Sequence, residues 1–195
     1  MSLTDVLAIV ASVVFLVRLL PQPVRLARQG VASGVSALAA LNAVVSALAW
    51  IAYGLEVQLF VVWSVSVLAL VPGIWQVALL RHQVTRRDIA SSLLFVLALL
   101  GAAWLGVLGL ALAGTVVVTV GPQVHRAVRE TDLSGIAPAT YWVALLDATT
   151  WGLYGIAVHD GALLGYWIVL AGAAAIILSR IAWTSRSGEP APAAA

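Results

Sequence analysis

A segment of this chain recurs at a constant separation of 101 residues, with no insertion or deletion between the copies. Pro21-Gln22 returns as Pro122-Gln123, Arg25 and Arg28 as Arg126 and Arg129, Ser33-Gly34 as Ser134-Gly135, and Trp50-x-x-Tyr53-Gly54 as Trp151-x-x-Tyr154-Gly155. Two copies of one unit, joined by something shorter than a unit, dictate a pseudo-symmetric object with a seam between its halves. In membrane proteins built this way the seam is where solutes sit.

The membrane follows from composition. The chain is 63% hydrophobic and 9% charged, and its apolar runs are too long for a soluble core of this size. There is no cysteine, which removes disulfides and thiolate metal sites. The first apolar run, residues 3–20, has neither a basic segment before it nor a small-residue cleavage site after it, and reads as a retained helix. All ten basic residues are arginine, and all but Arg18, which lies within the first span, fall after the first, third, fifth and last apolar spans. The intervening loops carry Glu56 or His159-Asp160, or no charge. By the positive-inside rule the basic loops are cytoplasmic, with the N-terminus outside and the C-terminus inside. That parity requires an odd number of spans.

The uncharged run 89–120 is too long for one span of about 20 residues and short for two. Moving the first span by 101 residues resolves it, placing a partner at roughly 105–121 and leaving a short extra helix before it, with the turn near Gly101 and Gly106. The expected fold is all-α integral membrane: seven transmembrane helices as 3+1+3, in two parallel triple-helix-bundle repeats. The expected units are residues 4–83, a linker helix 88–103, residues 105–184, and a disordered tail 185–195 rich in alanine and proline.

Proline removes a backbone donor and clashes with the preceding turn, so Pro21 and Pro122 are expected to bend or end the first helix of each repeat. Either alone could simply end a span; paired, and followed by Gln22 and Gln123, they read as matched hinges whose glutamines serve freed backbone groups. In the second helix of the first repeat, Asn42, Ser46, Trp50 and Tyr53 recur at helical steps, and an equivalent stripe holds Asp147, Trp151 and Tyr154. A polar and aromatic stripe in a membrane helix faces protein or water. Tyr53 and Tyr154 read as gate residues or as interfacial belt residues, while Trp50 and Trp151, a turn deeper, suit stacking on a sugar ring or an apolar solute. Asp147 is the one acid inside an expected span and is therefore a proton-coupling candidate, with a structural ion pair as the plain alternative. Arg18 is expected to snorkel to the headgroups in preference to pairing with it. His82, His125 and His159 are scattered, so no metal site is indicated, and no nucleophile with a base or phosphate loop is recognisable. The chain does not read as an enzyme, and no cofactor is expected.

Pro-Gln ending the first helix, a basic loop ending in Ser-Gly, and Trp-x-x-Tyr-Gly closing the second helix together resemble the PQ-loop repeat family. Within it, the 3+1+3 arrangement over residues 4–183 resembles the SWEET sugar transporters, whose half-size relatives, the SemiSWEETs, dimerise. The resemblance implies two triple-helix bundles, a central pocket, and alternating access by rocking about the prolines. It implies that Trp50 and Trp151 sandwich the sugar and that Tyr53 and Tyr154 form an outer gate. Ser66 and Trp167 stand where the family has a sugar-binding asparagine on each third helix, thirteen residues after the tyrosine. A second branch, similar to cystinosin, exports amino acids with protons and carries an acid on the helix that holds Asp147 here.

The expected function is membrane transport of a small polar solute. Facilitative sugar transport comes first, proton-coupled amino-acid or organic-solute transport through Asp147 second, and a non-transporting receptor or scaffold third. Expected partners are that small-molecule solute, a sugar or amino acid, and the lipid bilayer of the cell membrane; a nucleic acid is not expected, and self-association into a homo-oligomer stays open.

Overall fold

The computed structural model describes residues 2–29, 36–129, 133 and 137–186. Its elements are α1 (Leu3–Leu19), α2 (Pro21–Gln29), α3 (Ala37–Glu56), α4 (Phe60–Leu80), α5 (Arg86–Trp104), α6 (Leu108–Arg129), α7 (Pro138–Val158) and α8 (Gly161–Arg186), with a 3-10 turn at Arg81–Gln83. Six helical stretches among the described residues are long and apolar enough to cross a membrane, the first being α1 and α2 together. The seventh long helix, α7, packs against both α1 and α8 and holds Asp147. The chain is a multi-pass integral membrane protein.

The recurrence at 101 residues extends into the backbone, beyond the side chains that announce it. After α3 and α7 the chain turns through Gln58 and His159, both left-handed at φ 57°, and these positions are 101 apart although their side chains differ. Leu59 N–H donates to Gly54 C=O at 2.8 Å, and Asp160 N–H to Gly155 C=O at 2.9 Å. Both are the six-residue closing bond of a helix terminus, made with a non-glycine residue in a conformation that costs of order 1–2 kcal/mol. The same turn is thus built twice, and each begins the return helix.

The glycine of Trp-x-x-Tyr-Gly allows that return. A Cβ on Gly54 would stand 2.8 Å from the backbone nitrogen of Trp63, and one on Gly155 would stand 2.8 Å from Leu163 Cβ. These are the points where α3 meets α4 and α7 meets α8. We expect Gly54→Ala to destabilise the protein by about 1–3 kcal/mol, since backbone must move. Gly101→Ala on α5, where a Cβ meets nothing within 4 Å, should be neutral or stabilising. Thermal unfolding of the two variants in one detergent compares them.

Helix α4 packs against both α1 and α3, and α8 against both α6 and α7; α5 lies on α3 and α6. The main core joins α1, α4, α7 and α8 through residues such as Ala11, Val65, Ala148, Trp151 and Ala174. A smaller cluster joins α3, α5 and α6 around Leu99, Leu108 and Leu112. The turn between α5 and α6 passes through Gly106 at φ 69°, a conformation glycine adopts without strain.

Two expectations are corrected. The prolines do not act alike: α1 stops at Leu19 and α2 starts at Pro21, whereas α6 runs through Pro122 to Arg129. Pro23 follows Pro21 within two residues and is fully buried, so two donors are missing there, against one at Pro122. Residues 185 and 186, expected in the tail, belong to α8, while 187–195 lie outside the described residues. Gln123 Oε1 accepts from Tyr141 Oη at 2.9 Å, and Gln22 is exposed. Ser33-Gly34 and Ser134-Gly135 also lie outside the described residues.

Candidate functional site

Where α1, α3, α4, α7 and α8 approach one another, a cavity of about 50 Å³ remains, lined by Phe15, Trp50, Val62, Val65, Ser66, Trp151, Leu163 and Tyr166. Six of its eight lining residues are three pairs related by 101: Trp50 with Trp151, Val62 with Leu163, Val65 with Tyr166. The cavity therefore lies on the seam between the copies. The aromatic rings interlock edge to face. Trp50 meets Tyr53 at 5.7 Å and Tyr166 at 6.2 Å between ring centres, and Trp151 meets Phe15 at 6.3 Å and Tyr154 at 5.8 Å. This volume holds a few water molecules and is too small for a sugar.

On the side toward the middle of α7 the cavity ends in a polar cluster. Asp147, fully buried, accepts from Tyr166 Oη at 2.5 Å through Oδ2, and Arg18 Nη2 donates to the same Tyr166 oxygen at 3.1 Å. Arg18 Nε stands 3.4 Å from Asp147 Oδ2, an ion pair slightly beyond hydrogen-bond length. Arg18 Nε and Asp147 Oδ1 are buried and have no hydrogen-bond partner among the described residues. The guanidinium also lies 5.7 Å from the centre of the Phe15 ring. Snorkelling of Arg18 is thus overturned. Its side chain is 25% exposed and turned to Asp147, because an unpaired carboxylate at that depth costs more than the arginine gains in the headgroups.

On the opposite side, Tyr53 Oη donates to Asp160 Oδ2 at 2.6 Å. Asp160 is buried in the turn before α8, and its Oδ1 accepts Leu163 N–H at 2.8 Å as the helix N-cap. The bond links the end of α3 to the start of α8. Gly109 on α6 makes room for the ring, since a Cβ there would stand 2.8 Å from Tyr53 Cε2.

Among the residues singled out from sequence, Trp50, Trp151 and Ser66 line the cavity, and Asp147 reaches it through Tyr166. Ser66 spends its hydroxyl hydrogen on Val62 C=O at 2.7 Å. Tyr154 is buried beside Trp151. Ser46 is half-buried on α3 and is not a cavity wall. Asn42 and Trp167 are not walls either. Asn42 Oδ1 accepts from Ser92 Oγ of α5 at 2.6 Å, because eight residues at about 100° each turn it about 80° away from Trp50. Trp167 lays its indole against Gly152, where any Cβ would collide with it, and its neighbour Tyr166 takes the place at the cavity. Sequence reasoning missed Tyr166, Phe15, Val62, Val65 and Leu163 as walls, and Asp160 as the partner of Tyr53. The 101 offset from Val65 to Tyr166 was the available signal for the first.

The fold defines a class, that of all-helical multi-pass membrane proteins. No protein-family model matches the chain, and no curated protein matches it in sequence. In structure it is similar to a solved eukaryotic SWEET transporter, with a TM-score of 0.70 and 16% identity over 95% of this chain and 100% of that one. At that identity the likeness is one of fold.

Proposed function

We propose that this protein is a transporter of a small polar solute that works by alternating access, with facilitative sugar transport as the leading reading. The observation that carries it is the aromatic cavity on the seam, flanked on two sides by contacts that bridge the two halves. In this reading α1, α3 and α4 form one bundle and α6, α7 and α8 the other, with α5 as linker in a 3+1+3 arrangement of parallel repeats. The N-terminus is outside and the C-terminus cytoplasmic, as the arginine distribution supports. Trp50 and Trp151 stack on the solute, Ser66 and Tyr166 offer it polar contacts, Tyr53 with Asp160 closes the outer side, and the break at Pro21 lets α1 swing. The likeness in fold to a SWEET transporter supports the same reading.

A second reading is favoured by one specific observation, the buried Arg18–Asp147 pair beside the cavity. A carboxylate that loses its counter-ion during opening takes up a proton more readily than it stays charged in the membrane, which couples solute movement to protons.

Uptake of a labelled sugar and amino-acid panel into proteoliposomes, with and without an imposed pH gradient, separates these readings. Sugar uptake indifferent to the gradient supports the first. Gradient-driven uptake that Asp147→Asn renders indifferent supports the second. A panel in which nothing moves leaves the receptor or scaffold reading standing and defeats both.

A further inference from the structure

The second half carries an open groove on its outer face, between α6 and α8, that the cavity does not use. It offers about 580 Å³ of space, and its floor is made by small residues, Gly121 on α6 and Gly172 and Ala173 on α8. On α6 the groove runs from Val117 to Val128, eleven steps along the helix or about 16 Å. That is close to the depth of one leaflet, half of a hydrocarbon core of about 30 Å. Its walls are apolar except at one end, where His125 and Arg129 line it. Arg180 follows Ile176 by one helical turn on the same stripe of α8, and its Nε is anchored on Ala127 C=O at 3.1 Å.

The recurrence shows that the small residues flooring this groove are not shared by the two copies. The positions 101 residues before Gly121, Gly172, Ala173 and Ile176 hold Leu20, Val71, Pro72 and Trp75, side chains bulky enough to occupy such a space. Val24 stands at the position of His125, and Leu79 at that of Arg180. One copy thus has small residues, and the added basic residues His125 and Arg180, where the other has larger apolar side chains, while Arg129 is matched by Arg28.

We infer that this groove is a binding site for an anionic phospholipid, its acyl chain lying along Gly121 and Gly172 and its phosphate held at the end formed by His125, Arg129 and Arg180. The dimensions select an acyl chain, and the three basic residues at the membrane-surface end select a negative headgroup.

The full-length protein in detergent, equilibrated with equimolar phosphatidylglycerol and phosphatidylcholine, tests this by native mass spectrometry. Phosphatidylglycerol should be retained in preference. Arg129→Gln should lower that preference roughly fivefold, the effect of one basic residue near an anionic lipid. Gly121→Leu with Gly172→Leu should remove the bound lipid altogether while the fold survives, because a Cβ at either glycine meets nothing within 4 Å. Equal retention of both lipids would overturn the inference, as would undiminished binding to the filled variant. So would a change from dimer to monomer on filling, which would make the groove an interface between copies.

Discussion

Replacing Arg18 by methionine should lower the unfolding free energy in detergent by about 3 kcal/mol, because it leaves the fully buried Asp147 without its counter-ion, so that folding must bury either an unpaired charge or a carboxyl that has taken up a proton. The value lies at the low end for a broken buried pair because the Arg18 side chain is 25% exposed and the Nε–Oδ2 separation is 3.4 Å. Replacing both partners, Arg18→Met with Asp147→Leu, should recover most of the loss, since a buried ion pair exchanged for apolar side chains is often neutral. Denaturant titration of the three proteins reads both results. A single variant within about 1 kcal/mol of the parent would mean that the two groups do not form an ion pair in the membrane.

The second large effect belongs to transport. Trp50→Ala should reduce the affinity for the transported solute roughly 30-fold, the equivalent of about 2 kcal/mol for one aromatic face stacked on a solute, with Trp50→Phe keeping part of it. Trp50 is the better choice of the two indoles. It is half-buried, whereas Trp151 is 5% exposed in the main core, where truncation to alanine would cost about 3–5 kcal/mol of stability and confuse the result. Initial uptake rates against solute concentration, with thermal unfolding as a control, decide the matter. Unchanged affinity in Trp50→Ala would remove the cavity from the transport path.

The limits of sequence reading fall at particular residues. The offset of 101 located the helices because hydrophobic length and turn chemistry are local, and the turns at Gln58 and His159 repeat even where the side chains do not. Trp50 and Trp151, matched by the same offset, both line the cavity. Asn42 was misplaced because steps of four drift around a helix of 3.6 residues per turn, and a stripe that looks straight over eleven residues turns toward α5 at its far end. Trp167 was misplaced by one position, about 100° of rotation, which depends on where Gly152 leaves room on another helix. The partner of Asp147 could be narrowed to Arg18, but which way a long side chain turns depends on a tertiary neighbour, Tyr166, that periodicity does not reveal. The groove on the second half was hidden because small residues in an apolar helix carry no signal until compared with their counterparts in the other copy.

Asp160 divides its two oxygens between two tasks, Oδ1 holding the first turn of α8 and Oδ2 holding Tyr53. On the proposed gating role, releasing the tyrosine costs the protein one hydrogen bond and leaves the helix start intact. The outer side can then open by separation of two finished surfaces, with no unwinding to repair on the return stroke, and the same carboxylate is already in place to catch the tyrosine when the halves close again.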